Sequence, residues 1–138
     1  MTHEHETVTG FTLVEVLIVI VVMGFVLAIA APRIGAIREG MELDAAAQQL
    51  AGDLGRARIE AIRRNQAVSL RKIGTGSYDI DFLGTRALRG AAVLSGAPDS
   101  VRFASFGPPV SGPTQFTVTL GARSRVVDVN AAGYIEVR

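Results

Sequence analysis

The 138-residue sequence contains no cysteine, so it can form no disulfide, no thiolate metal site and no cysteine nucleophile. Its two histidines, His3 and His5, both fall in the first ten residues. A polar stretch at a chain end makes them incidental more readily than it makes them a metal pair. Charge of one sign is also missing. The net charge is +1, too small to argue nucleic-acid binding by itself. No nucleophile-elbow, phosphate-loop or metal-ligand spacing occurs, which leaves hydrolytic, nucleotide-dependent and metal-dependent catalysis without a sequence basis. Internal repeats and low-complexity tracts are absent. A secretory signal is absent too: residues 1–10 are short and polar, and no A-x-A cleavage site follows the apolar run.

What the sequence does have is that apolar run. Every residue from Val16 to Ala31 is apolar or Gly, and adding Phe11 to Glu15 gives 21 residues. At ~1.5 Å rise per residue such a helix spans about the ~30 Å of a bilayer core. One carboxylate, Glu15, sits within its first turns. An ionisable group at that depth is costly and marks a functional position by default. Gly24 lies inside the run and Pro32 closes it, and both weaken helical hydrogen bonding.

The stretch Gly10-Phe11-Thr12-Leu13-Val14-Glu15, followed by an unbroken apolar helix ended by Pro32, resembles the N-terminus of type IV pilins and type II secretion pseudopilins. The resemblance implies that residues 1–10 are a leader removed after Gly10 by a prepilin peptidase. The new N-terminal residue, Phe11, would then be N-methylated. Residues 11–32 would form the transmembrane and fibre-core helix, and residues 33–138 a periplasmic globular domain. Glu15 would act in subunit recruitment, and the helix between Gly24 and Pro32 would be able to break in an assembled fibre. This leader departs from the family in carrying no Lys or Arg, whereas Arg33 and Arg38 follow the apolar run. Charge alone would orient the segment the other way; the motif outweighs it. Cleavage would leave a net charge of +3.

After a short Gly-containing stretch (Gly35, Gly40) helical periodicity returns. Leu43, Ala47, Leu50, Leu54, Ala57 and Ala61 recur at spacings of four and three, which predicts an amphipathic helix over about 41–65 with one stripe packed on a sheet. Asp44, Gln48, Asp53, Arg56, Glu60, Arg63 and Arg64 would form its solvated face, and Glu60 and Arg64 an i,i+4 pair. Arg56, Arg58, Arg63 and Arg64 read as part of that face rather than as a phosphate patch, because acids interleave them. From Val68 onward the period becomes two. Val68–Ile73 and Tyr78–Phe82 read as a hairpin with Asp79 and Asp81 on its outward face. Short strands are expected at 91–94 and 101–104, and then at 114–120, 125–130 and 134–137.

Residues 50–70, running through Ala57-Arg58-Ile59-Glu60-Ala61-Ile62 to Val68-Ser69-Leu70, resemble the GspH/FimT family of minor pseudopilins and minor pilins. That resemblance implies an α+β, pilin-like fold: a long N-terminal helix packed on a small antiparallel sheet domain. It implies no enzyme activity, cofactor or metal. The partners it implies are other minor and major pilins or pseudopilins, the prepilin peptidase and the inner-membrane assembly platform, with a single pass through the bacterial inner membrane. The function expected is a minor pseudopilin that initiates or caps a type II secretion pseudopilus. The alternative is a type IV minor pilin in pilus assembly or DNA uptake. Some family members bind DNA through a C-terminal Gly-Arg-x-Arg motif. Here the matching stretch is Gly133-Tyr134-Ile135-Glu136, so Arg123 and Arg125 become the nearest candidates, and nucleic-acid binding is not expected.

Overall fold

The computed structural model describes residues 11–138, with Pro32 and Arg33 described as backbone only. The chain divides into two compact units, Met1–Ile37 and Arg38–Arg138.

Helix α1 runs over Leu13–Arg64. It starts where it does because Thr12 caps it. The Glu15 N–H donates to Thr12 Oγ1 at 3.3 Å and to the Thr12 carbonyl at 3.1 Å. Thr-x-x-Glu is the pattern of a capping box, with Glu15 at the third helical position. The helix ends in a left-handed cap. Asn65 has φ 51°, the Gln66 N–H donates to the Ala61 carbonyl and the Asn65 N–H to that of Ile62, each at 3.2 Å. This pair of bonds is the Schellman arrangement, and Asn tolerates the conformation better than other non-Gly residues. The apolar run and the amphipathic stripe, on either side of Gly35 and Gly40, are therefore one element, the long N-terminal helix that the resemblance implied. Pro32 removes a single N–H, and the propensity of the residues on either side carries the helix across it.

In the first unit the large apolar side chains from Phe11 to Ile29 are all between 48% and 82% exposed. Among the described residues, α1 is the one helix long and apolar enough to cross a membrane.

The second unit holds the core. Strands β1 (Val68–Lys72), β2 (Ser77–Ile80), β3 (Gly84–Ala87), β4 (Val93–Ser95), β5 (Ser100–Phe103), β6 (Thr114–Leu120), β7 (Arg123–Val129) and β8 (Ile135–Val137) follow the helix. They form two four-stranded antiparallel sheets, ordered β3-β2-β1-β5 and β4-β6-β7-β8. The expected stripe of Leu43, Ala47, Leu50, Leu54, Ala57 and Ala61 is fully buried, together with Tyr78, Phe103, Phe116 and Val127. Alternating Leu and Ala lets the helix approach the strands while still filling the space between. Each buried Leu contributes about 2 kcal/mol from its transfer out of water.

Three expectations need correction. Strand β3 was not expected, because Gly84-Thr85-Arg86-Ala87 carries no apolar alternation and lies largely exposed. Asp81 does not share a strand face with Asp79, since β2 ends at Ile80. Instead, its carboxylate accepts the Ser69 N–H at 2.8 Å, while Asp79 lies 3.5 Å from Arg71. Asp53, assigned to the solvated face of the helix, is buried at 3% exposure.

Candidate functional site

The sequence singled out Gly10, Phe11, Glu15, Gly24 and Pro32. Gly10 lies outside the described residues. Phe11 is 81% exposed just before the helix, and Glu15 is exposed one turn into it. Gly24 sits on an open helix surface, with nothing within 4 Å of where a Cβ would lie. Helix α1 is continuous through both Gly24 and Pro32. The arrangement is thus an apolar rod with a single carboxylate near its positive dipole end, a place where negative charge is favoured. Chemically it can insert into hydrocarbon or pack against other such rods, and it offers them one fixed anionic point.

The sequence reading missed a polar cluster in the second unit. Tyr78, fully buried on β2, donates its hydroxyl hydrogen to Asp53 Oδ2 at 2.7 Å. Arg86 Nε of β3 stands 3.2 Å from the same oxygen, and an Arg56 guanidinium nitrogen 3.6 Å from Oδ1. Gln49 Nε2 donates to the Tyr78 hydroxyl at 3.2 Å and to the Ala87 carbonyl at 2.8 Å. Burial pushes the Tyr78 phenol well above its ordinary pKa, and the hydrogen bond to the Asp53 carboxylate adds to the rise. The phenol therefore stays a donor at any working pH. One signal was present: Asp53 lies three residues after Leu50 and seven after Ala46, at the edge of the buried stripe.

Near the helix end, Arg58 spans to the C-terminal loop. Its guanidinium lies over the Tyr134 ring, 5.1 Å from the centroid, and donates to the Ala132 carbonyl at 3.5 Å. Gly133 has φ 81°, and a Cβ there would stand 2.7 Å from the Gly107 carbonyl oxygen. Glu136 pairs with Arg138 at 2.9 Å. So the stretch Gly133 to Glu136 is occupied by structural contacts. Arg125 pairs with Asp44 at 2.7 Å, and the Arg123 side chain runs against Gly40. Among the described residues, no group of three or more His, Asp or Glu is placed to hold a metal ion.

With this geometry in place, the comparisons decide the family. The model of Type II transport protein GspH matches residues 46–133, and the prokaryotic N-terminal methylation motif matches residues 8–31. The chain belongs to the GspH family. The GspH match covers the cluster of Asp53, Tyr78 and Arg86 and the Arg58–Gly133 junction. The methylation motif covers Gly10, Phe11 and Glu15. Pilin-like protein PilA1 of Thermus thermophilus is 44% identical over 71 residues, which is 50% of this chain and 44% of that protein. The chain thus matches less than half the length of that relative. Two crystal structures of the type IV minor pilin FimU of Pseudomonas aeruginosa share the fold. Their TM-scores are 0.65 and 0.61 at 20% and 19% identity, covering 74% and 70% of this chain and 92% of each FimU chain. GspH-family chains are structural subunits, minor pilins and pseudopilins. The α+β architecture of one long N-terminal helix with antiparallel sheets is that of the pilin fold.

Proposed function

We propose that this chain is a minor pseudopilin of a type II secretion system, placed where the pseudopilus starts or is capped. The observation that carries the reading is the exposed stretch of α1 up to Ala31, apolar but for a lone carboxylate at Glu15, in a chain of the GspH family. Before assembly this segment anchors the subunit in the inner membrane, with the second unit in the periplasm. After extraction the same surface packs against the helices of other subunits. The peptidase cuts between Gly10 and Phe11 and methylates the new amine. Glu15, four residues on, pairs with that amine or with the amine of a neighbouring subunit. In a low dielectric this pair fixes the axial register that a greasy surface leaves free. In the packed fibre Gly24 and Pro32 bound the segment where helix is given up. The partners are major and minor pseudopilins, the prepilin peptidase and the assembly platform.

A second reading, a type IV minor pilin, is favoured by the pilin-like relative matched over half of the chain. Deletion of the gene separates the two. The pseudopilin reading expects exported proteins to vanish from the culture medium while sheared surface pili persist; the pilin reading expects the reverse. If neither changes, both readings fail. Complementation with Glu15→Leu should give a protein that is cleaved, starts at methylated Phe11 by mass spectrometry and stays in the membrane, yet is missing from isolated filaments. Assembly of Glu15→Leu at wild-type levels would refute the pairing role.

A further inference from the structure

Beyond filament assembly, we propose that the cleft between α1 and β3 is a docking site for an extended acidic peptide segment of a protein partner. The cleft is open and about 640 Å³ in volume. Asp53, Gln49 and Arg56 line it from the helix side, and Arg86 and Arg89 from β3 and the turn after it. Its charge is unbalanced: three guanidiniums face one carboxylate. Asp53 is buried and already engaged by Tyr78, Arg86 and Arg56, so it holds the two arginines in place more than it neutralises the wall. Arg56 remains 67% exposed and Arg86 36%. Glu42 lies against Gly90, beside Arg89, but stands within ion-pair distance of Arg38.

The second observation is the free edge of β3, the outermost strand of its sheet, whose Ala87 lines the cleft. A free edge offers its backbone groups to an extended chain. The cleft therefore asks for two things together: a backbone for that edge and an anion for the arginines. A polypeptide carrying Asp or Glu has both, one on its backbone and one on its side chains. A phosphate diester has only the anion. Geometry agrees, because β3 is the edge strand of its sheet and Gly52 leaves the helix wall open, with nothing within 4 Å of an added Cβ. An extended chain can lie along that edge. Carboxylates facing Arg forks make charge-assisted, bidentate bonds, which give the site preference for acids over amides.

The test uses the full chain in detergent micelles and a fluorescein-labelled alternating Ala-Glu peptide, read by anisotropy at low and physiological salt. Saturable binding is expected, with the matching Ala-Gln peptide at least about tenfold weaker. The pair Arg56→Gln/Arg89→Gln should weaken binding by about tenfold or more; Arg89→Gln alone, which leaves the Asp53 cluster intact, should weaken it without moving the thermal midpoint, whereas Arg138→Gln, outside the cleft, should change nothing. A backbone N-methylated Ala-Glu peptide should lose affinity too, since it cannot pair with the edge of β3. Equal binding of the Ala-Gln peptide, indifference to the double variant, or no saturable binding would overturn the proposal. Equal potency of the N-methylated peptide or of inorganic phosphate would reduce the cleft to a simple anion site. Tighter binding of oligothymidylate than of the peptide would reassign it to nucleic acid.

Discussion

Replacing Asp53 by Ala should destabilise the second unit by about 2–3 kcal/mol. The figure follows from what each partner loses. The Tyr78 hydroxyl, fully buried, loses its acceptor at 2.7 Å, and a buried hydrogen bond to a charged group contributes about 1.5–3 kcal/mol. Breaking a fully buried ion pair costs more, about 3–5 kcal/mol, because the surviving charge is stranded. Here the survivors are Arg56 and Arg86, both partly in water, so the cost stays near the lower range. Tyr78→Phe should cost about 1 kcal/mol, because Asp53 keeps its guanidiniums. The double variant should cost less than the sum of the two, by about 1 kcal/mol, since both changes remove the same bond. For a unit of about 100 residues each kcal/mol moves the midpoint by about 4–8 °C, so Asp53→Ala should melt about 10–20 °C early. The chain has no tryptophan, and both tyrosines lie in the second unit. Tyrosine fluorescence of the full chain in detergent therefore follows that unit alone, with far-UV circular dichroism serving the Tyr78 variants. A shift under about 3 °C for Asp53→Ala, or strict additivity in the cycle, would return Asp53 to the solvated face and refute the buried cluster.

Gly133→Ala should destabilise by about 1–3 kcal/mol in urea unfolding, through its positive φ and the collision with the Gly107 carbonyl; a neutral effect would mean that the loop moves freely. The Glu60 carboxyl is held at about 2 by hydrogen bonds from Arg63 and Arg64. A depressed pKa gives stability that is present above the ordinary value of 4.5 and lost as pH falls from there towards 2, so Glu60→Gln should flatten the acid limb of an unfolding-versus-pH curve; an unchanged limb would exclude the contribution. DNA should bind weakly or not at all at physiological salt, because Arg125 is paired with Asp44 and Glu136 stands where a cation would serve. A band shift that persists at that salt and disappears in Arg123→Ala/Arg125→Ala would overturn this expectation.

Local chemistry was legible in the sequence and non-local pairing was not. The stripe from Leu43 to Ala61 declares itself because a 3.6-residue period needs no partner to be read. The β1–β2 and β6–β7 hairpins declare themselves through turns flanked by alternation. Strand β3 does not, since its residues are held by the ladder to β2 and by Gln49 rather than by any apolar face. The division into two sheets is equally hidden. It depends on β5 pairing with β1 and β4 with β6, contacts across the chain that no window contains. Asp53 fails for the same reason, because a carboxylate beside an apolar stripe reads as solvated until Tyr78, 25 residues away, is brought to it. The continuity of α1 through Gly35 and Gly40 came from the resemblance, which implied one long helix; the periodicity alone lapses there and returns after Gly40.

Glu15 shows why one residue governs the pseudopilin reading. In hydrocarbon an acidic side chain costs about 2.5–3.5 kcal/mol at mid-depth and less near the headgroups. The structure supplies part of the compensation. Thr12 caps the helix so that Glu15 falls at its third position, beside unpaired backbone N–H groups and the positive end of the dipole. That placement is worth about 0.3–1 kcal/mol, and up to ~2 in a partly buried setting. The remainder, roughly 0.5–3 kcal/mol, calls for a cation. None lies among the described residues of α1 before Pro32. A chain cut after Gly10 creates one at Phe11, a single helical turn from the carboxylate. In the proposed reading, the cut that frees the subunit from its leader would thus also make the partner that Glu15 lacks. In a packed fibre the amine of an adjacent subunit can take that place, which makes the charge pair a ruler between helices that otherwise slide.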